Sequence, residues 1–398
     1  MNNILNIAER YRTELEKSVI PFWEKNCPDR EHGGYFTCLD ADGSVFDHEK
    51  FMWMQWRIVY MFSVLYDNKQ SNPDWLALAQ NGFEFLTKHG KSADGSYYFA
   101  LNRSGEPSIA PYNIFSDCFA AMGAAALYKA TGEMQYRLEA ESAMNSYIGR
   151  MDCPKGKWEK KLSGTPSRRN LGHYMILANL GQVMHECLGT DQYNEDTAAA
   201  IDIVINQFCN EEYRIVFENI NLDGTVDLES GDGRHIIPGH GLESMWFIMQ
   251  YAERNDNKAL IEKAAEATLW LLEFGWDKQY GGIYYFMDLL GKPHVELQAD
   301  MKLWWVHNEA LIATLYAYKL TGRQEFWDWF LKIDEWSWNR YPDREHGEWF
   351  GYLNRQGEVS HSLKGGKWKT FFHLPRCLLL SSQLLEDIAE SSLNVPLE

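Results

Sequence analysis

Two histidines in this chain stand where helices should begin. In IIPGHGLESMWFIMQYAE, Pro238 suits a first helical turn, which puts His240 and Glu243 one turn apart on one face. In KTFFHLPRCLLLSSQLLEDI, Pro375 marks another start, with His373 just before it. The partial positive charge of a helix N-terminus disfavours imidazolium, so both rings are expected to be mostly neutral near pH 7. A neutral imidazole accepts a proton as a base and, once charged, returns it as an acid of matched strength. Taken singly, each is as readily a capping or core residue. Two in the same context point to proton transfer.

Two further segments carry chemistry. In MKLWWVHNEALIATLYAY, Lys302, Trp304, His307 and Glu309 crowd the front of a helix whose body is apolar, so its front end should face something polar. In FMWMQWRIVYMFSVLY, Arg57 is the lone charge, and such a residue needs an anionic partner or several acceptors. A zinc or manganese site built from His235, His240, Glu243 and His307 is a rival reading, but no compact ligand motif is present and no metal is expected. Cys377, near His373, is a conceivable nucleophile, and a packed helical thiol is the stronger reading. No phosphate-binding or dinucleotide loop is found.

The elements that must hold these groups repeat. PDREHG occurs at 28–33 and again at 342–347, each copy running into an aromatic strand and a turn. Weaker copies follow Ala93 and Trp276, and a degenerate one follows Glu211. With Asp29, Asp94, Asp277 and Asp343 as anchors, the chain divides into about six similar units. Between the turns, segments such as WLALAQNGFEFLTKH and LIEKAAEATLWLLEFGW carry apolar residues at helical spacing. Several helices end at glycine, as at Gly132, Gly189 and Gly322. Each unit therefore reads as two helices and a short β-hairpin. The best-matched turns are in the first and last units, where an open solenoid would need atypical caps, so a closed ring is favoured.

Composition narrows the function. A formal charge of −18 excludes nucleic acid and anionic membranes as partners, and no stretch approaches a transmembrane span. Seven scattered cysteines without paired spacing, and no signal-peptide core, suggest a reducing cytoplasm. Aromatic residues make up 14% of the chain. Most should fill a wide helical core, but those beside charges, as in KWKTFFH, suit a sugar, whose C–H faces pack on rings while its hydroxyls find polar partners.

Five blocks, EHGGYFTCLDADG, PGHGLESMWF, MKLWWVHNEALIA, HGEWFGYLNRQGEV and KGGKWKTFFHLPRC, resemble the N-acylglucosamine 2-epimerase family almost end to end and in the family's order. The resemblance implies an all-α (α/α)6 barrel of about twelve helices with short β-hairpins in its turns, forming one catalytic domain over 1–398. It also implies interconversion of N-acetylglucosamine and N-acetylmannosamine, with His240 and His373 moving the proton at C2 of the opened sugar and Arg57 binding its oxygens. Glu243, Glu309 and Glu218 match supporting carboxylates, and Lys302, Trp304 and His307 match the WW segment. On that basis Glu243 should orient His240, and Trp304 should provide a stacking wall. Relatives acting on disaccharides or simple aldoses carry a further histidine where NLGHYMILANL here has Met175, with His173 two residues earlier, which favours an N-acyl sugar. No cofactor is required for the chemistry. Activation by ATP or another nucleotide is implied, and KGKWEKKLSGTPSRR is a place for phosphates. A homodimer, a cytoplasmic setting and a role in sialic acid metabolism are further expectations of the resemblance. Rival functions are aldose–ketose isomerisation, 2-epimerisation of another mono- or disaccharide, glycoside hydrolysis on the same kind of barrel, and non-catalytic binding of a sugar or a protein.

Overall fold

The computed structural model describes residues 2–68, 71–162, 164, 165 and 167–393. Among these residues, twelve helices form two concentric rings. The outer ring consists of α1 (Asn2–Glu14, continued through a π-helical turn into Ile20–Asn26), α3 (Pro73–His89), α5 (Met134–Gly149), α7 (Asn194–Ile203), α9 (Lys258–Gly275) and α11 (Gln324–Trp338). The inner ring consists of α2 (Met52–Asn68), α4 (Phe115–Thr131), α6 (Leu171–Leu188), α8 (Pro238–Arg254), α10 (Trp304–Thr321) and α12 (His373–Leu393). Consecutive inner helices pack side by side, and each outer helix packs on an inner neighbour, with α1 against α12. This is the (α/α)6 barrel expected from the six-fold repeat.

Sequence decides which helices go inside. Every residue of α10 from Trp304 to Ala317 is buried, as is every residue of α4 from Ser116 to Leu127, because a helix that is apolar all round must be enclosed. Small residues let α4 approach closely: a Cβ on Gly123 would lie 2.9 Å from the Trp56 carbonyl oxygen of α2. Outer helices such as α3 and α11 keep a charged face for solvent. The inner ring closes between its last and first members through Phe371 against Phe62 and Phe372 against Tyr60.

Short antiparallel strands crown one end. The lead-in strand of an inner helix pairs with the hairpin of the next unit. Lys302–Leu303 pairs with Tyr352–Leu353, and Lys50–Phe51 pairs with Ala100–Leu101. The repeated aspartates organise these turns. Asp29, Asp277 and Asp343 each accept two backbone N–H bonds from their own turn. Each also pairs with a buried lysine from the following strand or loop: Lys50 at 3.0 Å, Lys302 at 3.3 Å and Lys364 at 2.7 Å. Asp94 departs from this pattern, since it is exposed and bonds only Ser92 and the amide of Ser96 in its own turn.

Candidate active site

The inner helices enter the barrel from its hairpin-covered end, and their first turns enclose a cavity of about 860 Å³. Each contributes residues: Trp53 and Arg57 from α2, Phe115 and Phe119 from α4, Met175 from α6, His240 and Glu243 from α8, Trp304 and Trp305 from α10, His373 and Arg376 from α12. The convergence of helix starts explains why the chemistry-bearing segments all lie at helix entrances.

His240 and His373 line one cavity, and the Trp305 ring is in contact with both. The indole centroid is 5.4 Å from the His240 ring and 5.7 Å from the His373 ring, tilted about 40° to each. Packing of α8 on α10 holds this arrangement, because a Cβ on Gly239 would lie 2.6 Å from the Trp305 ring, so only glycine fits before His240. Trp304, the expected stacking wall, also lines the cavity and meets His373 edge-on at 6.3 Å. Trp305, which local sequence pattern did not single out, is the ring that both imidazoles share.

Each imidazole is held from behind by a different glutamate. His240 Nδ1 lies 3.0 and 3.2 Å from the two oxygens of buried Glu218, which leaves Nε2 for the cavity. Asn170 Nδ2 donates to Glu218 at 2.9 Å and fixes that carboxylate. His373 Nδ1 lies 2.7 Å from Glu309, which also accepts from Trp246 Nε1 at 2.8 Å. Glu243 does not orient His240. It accepts from Arg376 Nη2 at 2.6 Å, and the same nitrogen donates to Glu309 at 2.7 Å. One turn of helix gave the right face for Glu243, but the position of Glu218 is set by tertiary packing alone. Arg376, not singled out from the sequence, lies one turn beyond His373 on α12, and that i, i+3 spacing was the available signal.

The two rings, expected to be alike, differ in their inclination to hold a proton. Burial lowers the pKa of His240, but the charge and hydrogen bond of Glu218 outweigh it, and the net direction is upward. His373 moves well below the usual imidazole value: burial dominates, Glu243 opposes it, and the Arg57 and Arg376 cations add to the lowering. The helix dipole is a weaker influence than a buried carboxylate in direct contact. The site therefore pairs a ring inclined to hold a proton with one inclined to lack it.

Among the described residues Arg57 has no ion-pair partner. Its guanidinium lies 4.8 Å from the Trp53 ring, 4.0 Å from Phe119 and 4.7 Å from Phe372, and among the described residues its Nε has no hydrogen-bond partner. Burial pushes its pKa down to about 9, against the opposing influence of Glu243, so it stays charged near neutrality. A cation clamped among ring faces and lacking an acceptor is ready to bind developing negative charge.

Lys302 and His307 lie outside the cavity wall. Lys302 Nζ meets Asp277 and the Gly282 carbonyl, both at 3.3 Å, and burial takes its pKa down to about 8. It is the counterpart of Lys50 and Lys364 in the repeated turn. His307 Nε2 accepts from the Ile283 amide at 2.9 Å, while Nδ1 lies 2.8 Å from the Leu303 carbonyl; burial takes the ring to about 3. Both residues brace the front of α10. Met175 lines the cavity, whereas His173 stacks on Phe115 and burial lowers it to about 4.

The metal quartet does not assemble: His307 is enclosed elsewhere, and His235 bonds His294. Among the described residues, the one acid–histidine cluster with metal-like spacing is Glu243, Glu309 and His373, and the Arg376 guanidinium already lies in it. The Cys377 thiol is buried and pushed up by desolvation, which removes it as a nucleophile. In the basic segment, Ser163 and Pro166 fall outside the described residues, and Arg168 is paired with Asp227 and Asp232. No described helix is long and apolar enough to cross a membrane.

Residues 34–377 match the model of the N-acylglucosamine 2-epimerase (GlcNAc 2-epimerase) family. This chain belongs to that family. It is 38% identical to the N-acylglucosamine 2-epimerase of Rattus norvegicus over 95% of this chain and 91% of that one, and 35% identical to the Homo sapiens protein of the same name over 95% and 90%. Among solved structures, the cellobiose 2-epimerase of Spirochaeta thermophila superposes with a TM-score of 0.84 at 19% identity, covering 98% of each chain. The fold is thus shared with sugar epimerases that diverge widely in sequence, and the family members named here are isomerases acting on carbohydrates.

Proposed function

We propose that the chain interconverts N-acetyl-D-glucosamine and N-acetyl-D-mannosamine by moving the C2 proton of the open-chain sugar between His373 and His240. The observation that carries this reading is the pair of imidazoles that line one cavity against Trp305, each with Nδ1 held by a buried glutamate and with opposite inclinations to hold a proton. The C2 proton is α to the C1 aldehyde, so its removal leaves an enolate with its oxygen on C1 and the acetamido group still on C2. His373, with Nδ1–H donated to Glu309, offers the Nε2 lone pair as base. His240, protonated and held by Glu218, returns a proton from the opposite face of C2. Arg57 stabilises the enolate oxygen on C1 in a desolvated pocket. In the reverse direction the two rings exchange roles. The chemistry is redox-neutral and requires no cofactor.

Both working forms, His240 charged with His373 neutral and the converse, carry the same number of protons. Both directions should therefore share one bell-shaped pH profile. Arg376 keeps Glu243 and Glu309 fixed while charge moves past them. Met175 in place of a histidine makes that side of the cavity apolar and favours the N-acyl group over a second sugar hydroxyl. A cytoplasmic homodimer serving amino-sugar breakdown, with an activating nucleotide held by the exposed lysines 155, 157, 160 and 161, completes the reading. The seven cysteines are free, in keeping with a reducing compartment.

The test is turnover of N-acetylmannosamine in heavy water. Deuterium should appear at C2 of N-acetylglucosamine, and either His240→Asn or His373→Asn should abolish it. With mannose, a 2-hydroxy aldose, as substrate, deuterium at C1 of a ketose product would indicate aldose–ketose isomerisation, and near-normal rates in both variants would refute the two-histidine route.

A further inference from the structure

A second histidine pair sits at the mouth of the cavity. His235 lies in the strand His235–Ile236, which pairs with Met287–Asp288, and its ring lines the cavity. The chain then leaves the barrel as a loop, 289–299, that returns at Met301 and contributes Glu296 and Gln298 to the cavity wall. Its ends are tied by backbone bonds, with Leu289 donating to the Arg234 carbonyl and Phe286 donating to that of Ala299. Its middle has no apolar anchor, since Val295 and Leu297 are 82% and 96% exposed. The tether there is His294, whose Nε2 lies 2.8 Å from His235 Nδ1, with the Phe286 ring packed on both imidazoles.

The bonding fixes both tautomers. His294 Nδ1 accepts from the Glu296 amide at 3.0 Å, so in the neutral ring the proton sits on Nε2. That Nε2–H donates to His235 Nδ1. His235 then carries its own proton on Nε2, and this N–H has no partner among the described residues. We propose that His235 is a substrate-contacting residue, donating from Nε2 to an oxygen of the bound sugar, and that His294 sets its tautomer and so couples the 289–299 loop to occupancy of the cavity. This rests on the amino-sugar reading only for the nature of the acceptor.

The relay works only while both rings are neutral. A proton on His235 Nδ1 would face the His294 donor, and a proton on His294 Nδ1 would face the Glu296 amide. The groups that bias His235 are named by its surroundings. Burial lowers its pKa, Glu218 raises it, His294 and His240 lower it, and Asp232 raises it; Asp288, its partner across the strand, is engaged by Arg234. The net direction for His235 is downward, so its neutral form, which the relay needs, persists below the ordinary imidazole value.

The experiment compares His294→Leu with His294→Gln in the full chain. The Leu variant removes the tether and should raise KM for N-acetylmannosamine about tenfold, with kcat changed far less. The Gln variant can still donate to His235 Nδ1 but cannot titrate. It should keep KM near the wild-type value at pH 7. Equal rises in KM for both variants would make His294 merely structural, and a wild-type KM profile in the Leu variant would overturn the relay. Nitrogen-15 shifts of labelled histidines give a reading that needs no turnover. His235 should carry its proton on Nε2 in the wild type and the Gln variant, and a proton on Nδ1 would overturn the proposal even if the enzyme acted on a different sugar.

Discussion

Glu218→Gln isolates the cause of the unequal histidines. The substitution keeps the side chain's shape and removes its charge. The carboxylate is buried, with its oxygens 3.0 and 3.2 Å from His240 Nδ1. Unit charges about 4 Å apart interact by about 4 kcal/mol at an effective dielectric of about 20. The His240 side chain is 28% exposed, so water screens part of this. If roughly half survives, about 2 kcal/mol is lost, which is on the order of a thirtyfold weaker hold of His240 on its proton. The assay is kcat/KM for N-acetylmannosamine as a function of pH. In the wild type, activity should fall on the alkaline side as His240 loses its proton, above the ordinary imidazole range. In Glu218→Gln that fall should begin at lower pH, with a tenfold or greater loss at neutrality. Glu243→Gln is the control, because Glu243 is bonded to Arg376 and contributes less to His240. The sign also sets a stability window. Folding raises the His240 pKa, so the Glu218 bond stabilises the fold fully below the ordinary imidazole pKa and loses that contribution as the pH rises through the folded value. The gap in Tm between wild type and variant should be widest in mild acid. An alkaline limb that stays in place in Glu218→Gln, or moves equally in Glu243→Gln, would refute the reasoning.

Arg57→Lys keeps a charge but cannot lie flat among Trp53, Phe119 and Phe372. It should lower kcat by about a hundredfold, and a wild-type kcat would remove Arg57 from the chemistry. Lys302→Met should cost about 3 kcal/mol of stability in a denaturant titration, because it leaves Asp277 with Arg355 but without its buried partner; kcat/KM of the folded fraction should change little, and a large loss would return Lys302 to the substrate site. Prolonged treatment with a chelator should leave turnover unchanged, because Arg376 occupies the Glu243–Glu309–His373 cluster; loss of activity restored by a divalent metal would contradict this.

The legible part of the site was what helix geometry alone dictates. His240 follows a proline at a helix entrance, His373 precedes one, and Arg57 is the lone charge of an apolar helix, so all three could be named from local pattern. Partnerships were not legible in the same way. Glu243 shares a face of α8 with His240, yet Arg376 from α12 draws it away, and Glu218, from the bend between the short strands Ile215–Val216 and Asn219–Asn221 before α8, takes its place. Lys302 and His307 looked like site residues because they crowd the start of α10. Only the packed turn at 276–283 shows that they face backward, one toward Asp277 and the other toward the Ile283 amide.

The barrel itself was determined by the chain's periodicities. A repeated turn, recognisable in five of about six units, separates helices that are alternately apolar all round and amphipathic, and such a set can bury its inner members only by closing into a double ring. Protonation, by contrast, was decided by tertiary structure. Two histidines in near-identical local settings acquire opposite proton affinities because desolvation and Coulomb forces act through space, over contacts between residues far apart in the chain. Glu218 reaches His240 from 22 positions away and Glu309 reaches His373 from 64, distances across which no local pattern extends.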